Sequence, residues 1–202
     1  MNRQQLVEIC ECLYERGMVS GAGGNVSFRR GERIWITPSG RSLGELTGDD
    51  LVEIDGHGRA QTSGRPSREW PLHLAVYRHR PDVRAVIHTH SPYAVALACQ
   101  WSPEEPIPMY TPSYALLVGR MPLLPYYPPG SSDLEGAVAS QIPSFDGLLL
   151  QNHGVVAVGS HLTAALTIAE EIEDNARIYF LTGGRGRGLT DEQLAELRQM
   201  YK

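Results

Sequence analysis

Three histidines in this chain are spaced so that they could hold a metal ion. His88 and His90 follow the apolar run Val83 to Ile87. Residues two apart in an extended chain point to the same side, so both imidazoles can converge on one ion. His153 follows a second apolar run, Gly147 to Gln151, within Gln151-Asn152-His153-Gly154. If these two strand ends meet at one edge of a sheet, where α/β folds place their ligands, three imidazoles come together. Three protein ligands leave a fourth position open, the arrangement of a catalytic rather than a structural zinc. Glu69 lies in Arg65-Pro66-Ser67-Arg68-Glu69-Trp70-Pro71-Leu72-His73. A carboxylate at the head of a helix is favoured by the dipole, and facing the metal it becomes a ligand or a proton-transfer group. His73, at i+4 from Glu69, reads as a structural hydrogen-bonding histidine. His57, His79 and His161 stand in polar surroundings and read as solvated.

The elements that must carry these residues follow from periodicity. Gln4 to Gly17 has helical spacing and ends at a glycine. Gly21-Ala22-Gly23-Gly24-Asn25 breaks regular structure, and short β-type runs follow at Val26 to Phe28, Arg33 to Thr37 and Leu51 to Ile54. A helix is expected over Ser67 to His79 with Ser67 as its cap. A buried strand over Val83 to His88 leads into a helix opened by Pro92 and running through Cys99. Pro103 to Pro112 reads as irregular, and Leu123 to Tyr127 as a strand ending at Pro128-Pro129-Gly130. A helix over Asp133 to Gln141 precedes the strand Gly147 to Gln151, with Val155 to Val158 pairing back on it. Long and short helices, His161 to Thr182 and Asp191 to Met200, close the sequence. No internal repeat and no long linker appears, so residues 1–202 are expected to form a single α/β sandwich domain.

The bulk properties exclude several classes. With 202 residues, 42% hydrophobic and 20% charged, the sequence reads as an ordinary globular chain. Its net charge of −5 and the absence of any Lys/Arg cluster argue against nucleic acid or an anionic membrane as partner. No run reaches the ~20 apolar residues of a membrane span, and no signal peptide is visible at the N-terminus. Cys10, Cys12 and Cys99 read as small buried apolar residues of a reducing compartment, so the expected location is cytoplasmic.

Taken in order, Gly24-Asn25-Val26-Ser27, Ile36-Thr37-Pro38-Ser39-Gly40, Pro66-Ser67-Arg68-Glu69, His88-Thr89-His90-Ser91 and Asn152-His153-Gly154 resemble the class II aldolase/adducin family. The helix bearing Ala169-Glu170-Glu171-Ile172-Glu173 fits as well, and the resemblance spans roughly residues 5 to 182. It implies a three-layer α/β/α sandwich with a central, mainly antiparallel sheet, assembled as a homotetramer with the active site at a subunit interface. It implies one Zn2+ per subunit on His88, His90 and His153, with Mn2+ as the alternative, since these ligands accept both. Glu69 matches the acid/base that also reaches the metal. Asn25, Ser39, Gly40 and Ser67 match phosphate-binding positions, and Tyr114 and Tyr126 are candidates for an acid lent by a neighbouring subunit.

One departure narrows the activity. Sugar-phosphate aldolases of the family commonly carry two serines before the glutamate, whereas Arg68 stands there in this chain. That residue resembles the decarboxylase branch acting on 3-oxo-tetronate 4-phosphates. Ile107-Pro108-Met109-Tyr110-Thr111-Pro112, the Pro122 to Gly130 segment and Leu189-Thr190 point the same way. The expected reaction is loss of CO2 from a β-keto acid, giving dihydroxyacetone phosphate through a zinc-stabilised enediolate, in acid-sugar catabolism. A sugar-phosphate aldolase or 4-epimerase uses the same enediolate chemistry and is the nearest alternative. A non-catalytic adducin-like interaction module is the remote one.

Overall fold

The computed structural model describes residues 1–201. All its strands join one seven-stranded sheet in the order β3-β2-β1-β4-β7-β6-β5. The strands are β1 (Asn25–Arg30), β2 (Arg33–Ile36), β3 (Val52–Ile54), β4 (Ala85–Thr89), β5 (Leu123–Leu124), β6 (Gly147–Leu150) and β7 (Gly154–Gly159). Every neighbouring pair is antiparallel except β5–β6. The helices are α1 (Arg3–Glu15), α2 (Trp70–His79), α3 (Pro92–Gln100), α4 (Pro112–Leu117), α5 (Ser132–Gln141), α6 (Leu162–Leu181) and α7 (Asp191–Met200).

The central strands are buried on both faces, and their alternation sorts them into two cores. Ala85, Ile87, Leu149, Val155 and Ala157 face a layer containing α1, α3, α4 and α6. Val86, Leu148, Leu150, Val156 and Val158 face the opposite layer of α2 and α5. Burying both faces explains why these strands read as unbroken apolar runs. The result is the expected α/β/α sandwich around a mainly antiparallel sheet.

Several boundaries differ from expectation. The helix that follows Glu69 begins at Trp70, with Pro71 in its first turn, so Ser67 is not its cap. Residues 66–69 instead form a turn tied to the Thr37-Pro38-Ser39 segment, with Ser67 N–H donating to Thr37 O (3.0 Å) and Ser39 N–H to Arg65 O (2.9 Å). The proline-rich stretch ends in α4, whose cap, Thr111 Oγ1, accepts from Tyr114 N–H (3.1 Å). Pro112 in its first turn is the signal in the sequence that marks it. His161 is not merely solvated: its Nδ1 caps α6 by accepting from Ala164 N–H (3.1 Å). Of the cysteines only Cys10 is fully buried, while Cys99 is exposed. Among the described residues no helix is long and apolar enough to cross a membrane.

Candidate metal centre

β1, β4 and β7 lie side by side, and this adjacency creates the site. Asn25 on β1 pairs with His88 on β4, and His88 pairs with Val156 on β7. His90 lies just past the end of β4, and His153 lies in the turn joining β6 to β7. Glu69 arrives from the other direction, at the N-terminus of α2. One ligand atom from each of Glu69, His88, His90 and His153 lies within 4.8 Å of the others.

Local backbone chemistry sets that convergence. The turn carrying His153 is closed by His153 N–H donating to Leu150 O (3.1 Å). Asn152 holds it in the left-handed region (φ 57°), which asparagine tolerates better than most residues. Gly154 follows because a Cβ there would lie 2.2 Å from Thr89 O and against both His88 and His90. Gly24 (φ 75°) also passes close, its would-be Cβ 2.9 Å from His88 O. The segment after His90 is pinned by Glu173 of α6, whose carboxylate accepts from Tyr93 N–H (3.0 Å) and Ala94 N–H (2.8 Å) at the start of α3. This gives the Glu170-Glu171-Ile172-Glu173 sequence a defined task.

The donor set suits a divalent metal. His88 Nδ1–H donates to Val155 O (2.8 Å), which turns the Nε2 lone pair toward the centre. His88 Nε2 is 3.0 Å from His90 Nε2 and 3.2 Å from Glu69 Oε2, and His153 Nε2 is 3.1 Å from Glu69 Oε1. Ligands ~2.0–2.1 Å from a tetrahedral ion sit about 3.3 Å apart, which these three contacts approach, while the four ligand atoms as a set lie within 4.8 Å of one another. Glu69 Oε1 is buried without a hydrogen-bond partner, which a cation would satisfy.

The charges agree with that reading. Burial alone would raise the Glu69 carboxyl, but the His88 and His153 imidazoles outweigh it and hold the group well below the usual carboxylate range. Burial opposes protonation of His88, yet Glu69 beside it shifts the net effect upward. His90 is pushed down to about 4 by burial and by its two histidine neighbours.

The remaining predicted residues divide into two groups. Asn25 is buried, and its Nδ2–H donates to Glu69 Oε2 (2.9 Å). Ser67 is buried beneath the turn, and its Oγ accepts from Glu69 N–H (3.3 Å). Gly40 and Arg68 are exposed, and Ser39 is half-buried; these three lie on the loops that the Pro38–Pro66 bridge holds together. The Pro128-Pro129-Gly130 turn reaches the same lip, a Cβ at Gly130 falling 3.1 Å from Arg68 O. Tyr126 is 55% exposed. Tyr114 is 1% exposed inside the layer of α1, α3, α4 and α6. The buried contacts of Ser27, His73 and Tyr77 behind Asn25 are only partly visible in the sequence, where His73 alone reads as a hydrogen-bonding residue.

Fold and site together define an α/β/α protein with a cluster of three histidines and one glutamate that could hold a metal ion, at the ends of the central strands. The chain belongs to the family described as class II aldolase and adducin N-terminal domain, whose model matches residues 4–180. It is 37% identical over 204 residues to the 3-oxo-tetronate 4-phosphate decarboxylase of Haemophilus influenzae, covering 99% of this chain and 97% of the relative. It is also 37% identical to the L-fuculose phosphate aldolase of Methanocaldococcus jannaschii, over 90% of this chain and 97% of that one. Among solved structures, YgbL from Klebsiella pneumoniae superposes with a TM-score of 0.91 at 38% identity, covering 98% of this chain and 99% of that one. An L-fuculose 1-phosphate aldolase superposes with a TM-score of 0.88 at 32% identity, covering 98% of this chain and 95% of that one.

Proposed function

We propose that this chain is a zinc-dependent decarboxylase converting a 3-oxo-tetronate 4-phosphate into dihydroxyacetone phosphate and CO2. The observation that carries the choice is Arg68, an exposed guanidinium adjacent to Glu69 at the lip of the centre, backed by the Gly130 turn. It supplies a permanently charged cation for an anionic group of the substrate. Similarity to curated decarboxylases over nearly the whole chain supports the same reading.

His88, His90, His153 and Glu69 would hold the metal. Zinc, when bound, supplies a Lewis acid for the negative charge that develops on the substrate oxygens. Asn25, Ser39, Gly40 and Ser67, with Arg68, would orient the phosphate and carboxylate. The C1–C2 bond breaks, CO2 departs, and the electron pair remains on C2, conjugated with C3 as an enediolate. Glu69 begins as a carboxylate; the charge growing beside it raises its proton affinity, so it takes a proton from solvent and hands it to C2. In a homotetramer, Tyr126, which is exposed, would be the tyrosine that lends an acid to a neighbouring subunit.

Metal-replete protein incubated with 3-oxo-tetronate 4-phosphate should release CO2 and dihydroxyacetone phosphate in equal amounts. Chelation should stop both, and zinc should restore them. Absence of CO2 from either C2 epimer would remove the decarboxylase. Release of an aldehyde from a ketose 1-phosphate would then install the aldolase, the reading favoured by the fuculose-phosphate aldolase relatives.

A further inference from the structure

A line of buried side chains runs from Glu69 away from the metal centre. Glu69 Oε2 lies 2.9 Å from Asn25 Nδ2, and Asn25 Oδ1 lies 2.5 Å from His73 Nε2. His73 Nδ1 lies 2.7 Å from Ser27 Oγ, which lies 2.7 Å from Tyr77 Oη. Arg29 closes the far end, its guanidinium 5.0 Å from the Tyr77 ring centroid and its Nη1–H donating to Tyr77 O (2.9 Å). Asn25, Ser27, His73 and Tyr77 are all buried.

The direction of each bond can be derived. A carboxylate only accepts, so Asn25 must turn its amino group to Glu69; the flipped amide would set two acceptors against each other. Asn25 Oδ1 therefore faces His73, and His73 Nε2 must carry a hydrogen. No carboxylate touches His73, and its complete burial pushes it down to about 3, so the ring is neutral and Nδ1 accepts. Ser27 then donates to Nδ1 and accepts from the Tyr77 hydroxyl. Every hydrogen in the line points toward Glu69.

We propose that His73, backed by Ser27 and Tyr77, is a positioning residue that locks the Asn25 amide with its –NH2 toward Glu69 and the substrate site. The locked amide presents only donors there. One N–H holds the Glu69 carboxylate in place, and the other is left for an oxyanion of the substrate, never for a hydroxyl donor. The geometry arises because helix residues four apart rise ~6.0 Å and strand residues two apart ~6.6–6.8 Å, so Glu69-His73-Tyr77 stays in step with Asn25-Ser27.

The kinetic part rests on the assignment of Glu69 as the proton-transfer group, so two independent readouts are needed. In zinc-loaded protein labelled with 15N at histidine, His73 should appear as the neutral Nε2–H tautomer from pH 6 to 8. A Nδ1–H tautomer or a cation would overturn the proposal. This arm needs no turnover, so its failure is distinct from failure of the proposed reaction. In the kinetic arm, His73→Leu should lower kcat on the order of 10- to 100-fold at unchanged zinc content, and His73→Gln, which keeps an N–H donor, should recover most of it. With Asn25→Ala already present, His73→Leu should cost less than about 2-fold, because the amide it orients is gone. Multiplicative losses would reduce His73 to a packing residue. Should His73→Leu fail to fold, Tyr77→Phe, which removes only the terminal hydroxyl, gives the same cycle with Asn25→Ala on the order of 2- to 5-fold.

Discussion

The metal centre and the lip above it are built on different principles. Glu69, His88, His90 and His153 are held by central strands, a helix start and a tight turn, and two of them are braced from behind, His88 by Val155 O and Glu69 by the Asn25 amide. Gly40 and Arg68 are exposed on loops that a single β-bridge ties together. A group that must hold an ion and move a proton within tenths of an ångström needs the rigid part of the fold. Groups that choose among phosphorylated acids and aldehydes can sit on the adjustable part.

This contrast is tested most severely at Glu69. Glu69→Gln should reduce turnover on the order of 10³-fold while zinc content stays largely intact, as measured by steady-state kinetics and metal analysis. Full activity in that variant would separate the centre from the chemistry. Next in size is Gly154→Ala, in which the added methyl meets Thr89 O and the histidine rings. It should lower stability by about 2–3 kcal/mol in urea titration and reduce zinc stoichiometry, whereas a silent substitution would show that the turn can yield.

A smaller effect concerns pH and the buried line behind Asn25. His73 is held at about 3 against an ordinary 6.5, so between those values the unfolded chain carries the extra proton. Stability therefore falls as pH drops below 6.5, by ~2 kcal/mol at pH 5 for this one group. Metal-free wild type should lose that much more than His73→Gln between pH 7 and pH 5. Equal losses would mean that His73 is reached by protons in the native state. The smallest effect belongs to the lip: Arg68→Ala should raise KM about 10-fold, ~1.4 kcal/mol, with the urea midpoint unchanged. A drop in stability there would erase the distinction between the two regions.

Much of this division is legible in the order of residues along the chain. The His88/His90 pair, His153 and Glu69 stand out because each is tied to an element whose periodicity is strong. α4 stays hidden because its six residues are too few for a helical period to emerge from a proline-rich stretch. Ser67 resembles a helix cap because its residue type fits one, but Pro71 lets the helix start later, and the backbone of Ser67 is used by the Thr37 segment instead. Tyr114 and Tyr126 are indistinguishable as residue types; burial separates them. Cys99 reads as buried because it follows an apolar run, yet it falls on the outer side of α3.

The sequence by itself determined which residues are candidates for chemistry, which strands are buried on both faces, and the family to which the motifs belong. Those features depend on residue type and on spacings of two to four residues. Only the tertiary structure decided that β1, β4 and β7 lie side by side, that Glu69 enters from α2 to meet them, and that Asn25, His73, Ser27 and Tyr77 form one directed line. Asn25 is separated from His73 by 48 positions and His88 from Val155 by 67. No local preference encodes such pairings; they follow from packing two apolar layers against one sheet, which leaves a single register for the polar groups between them.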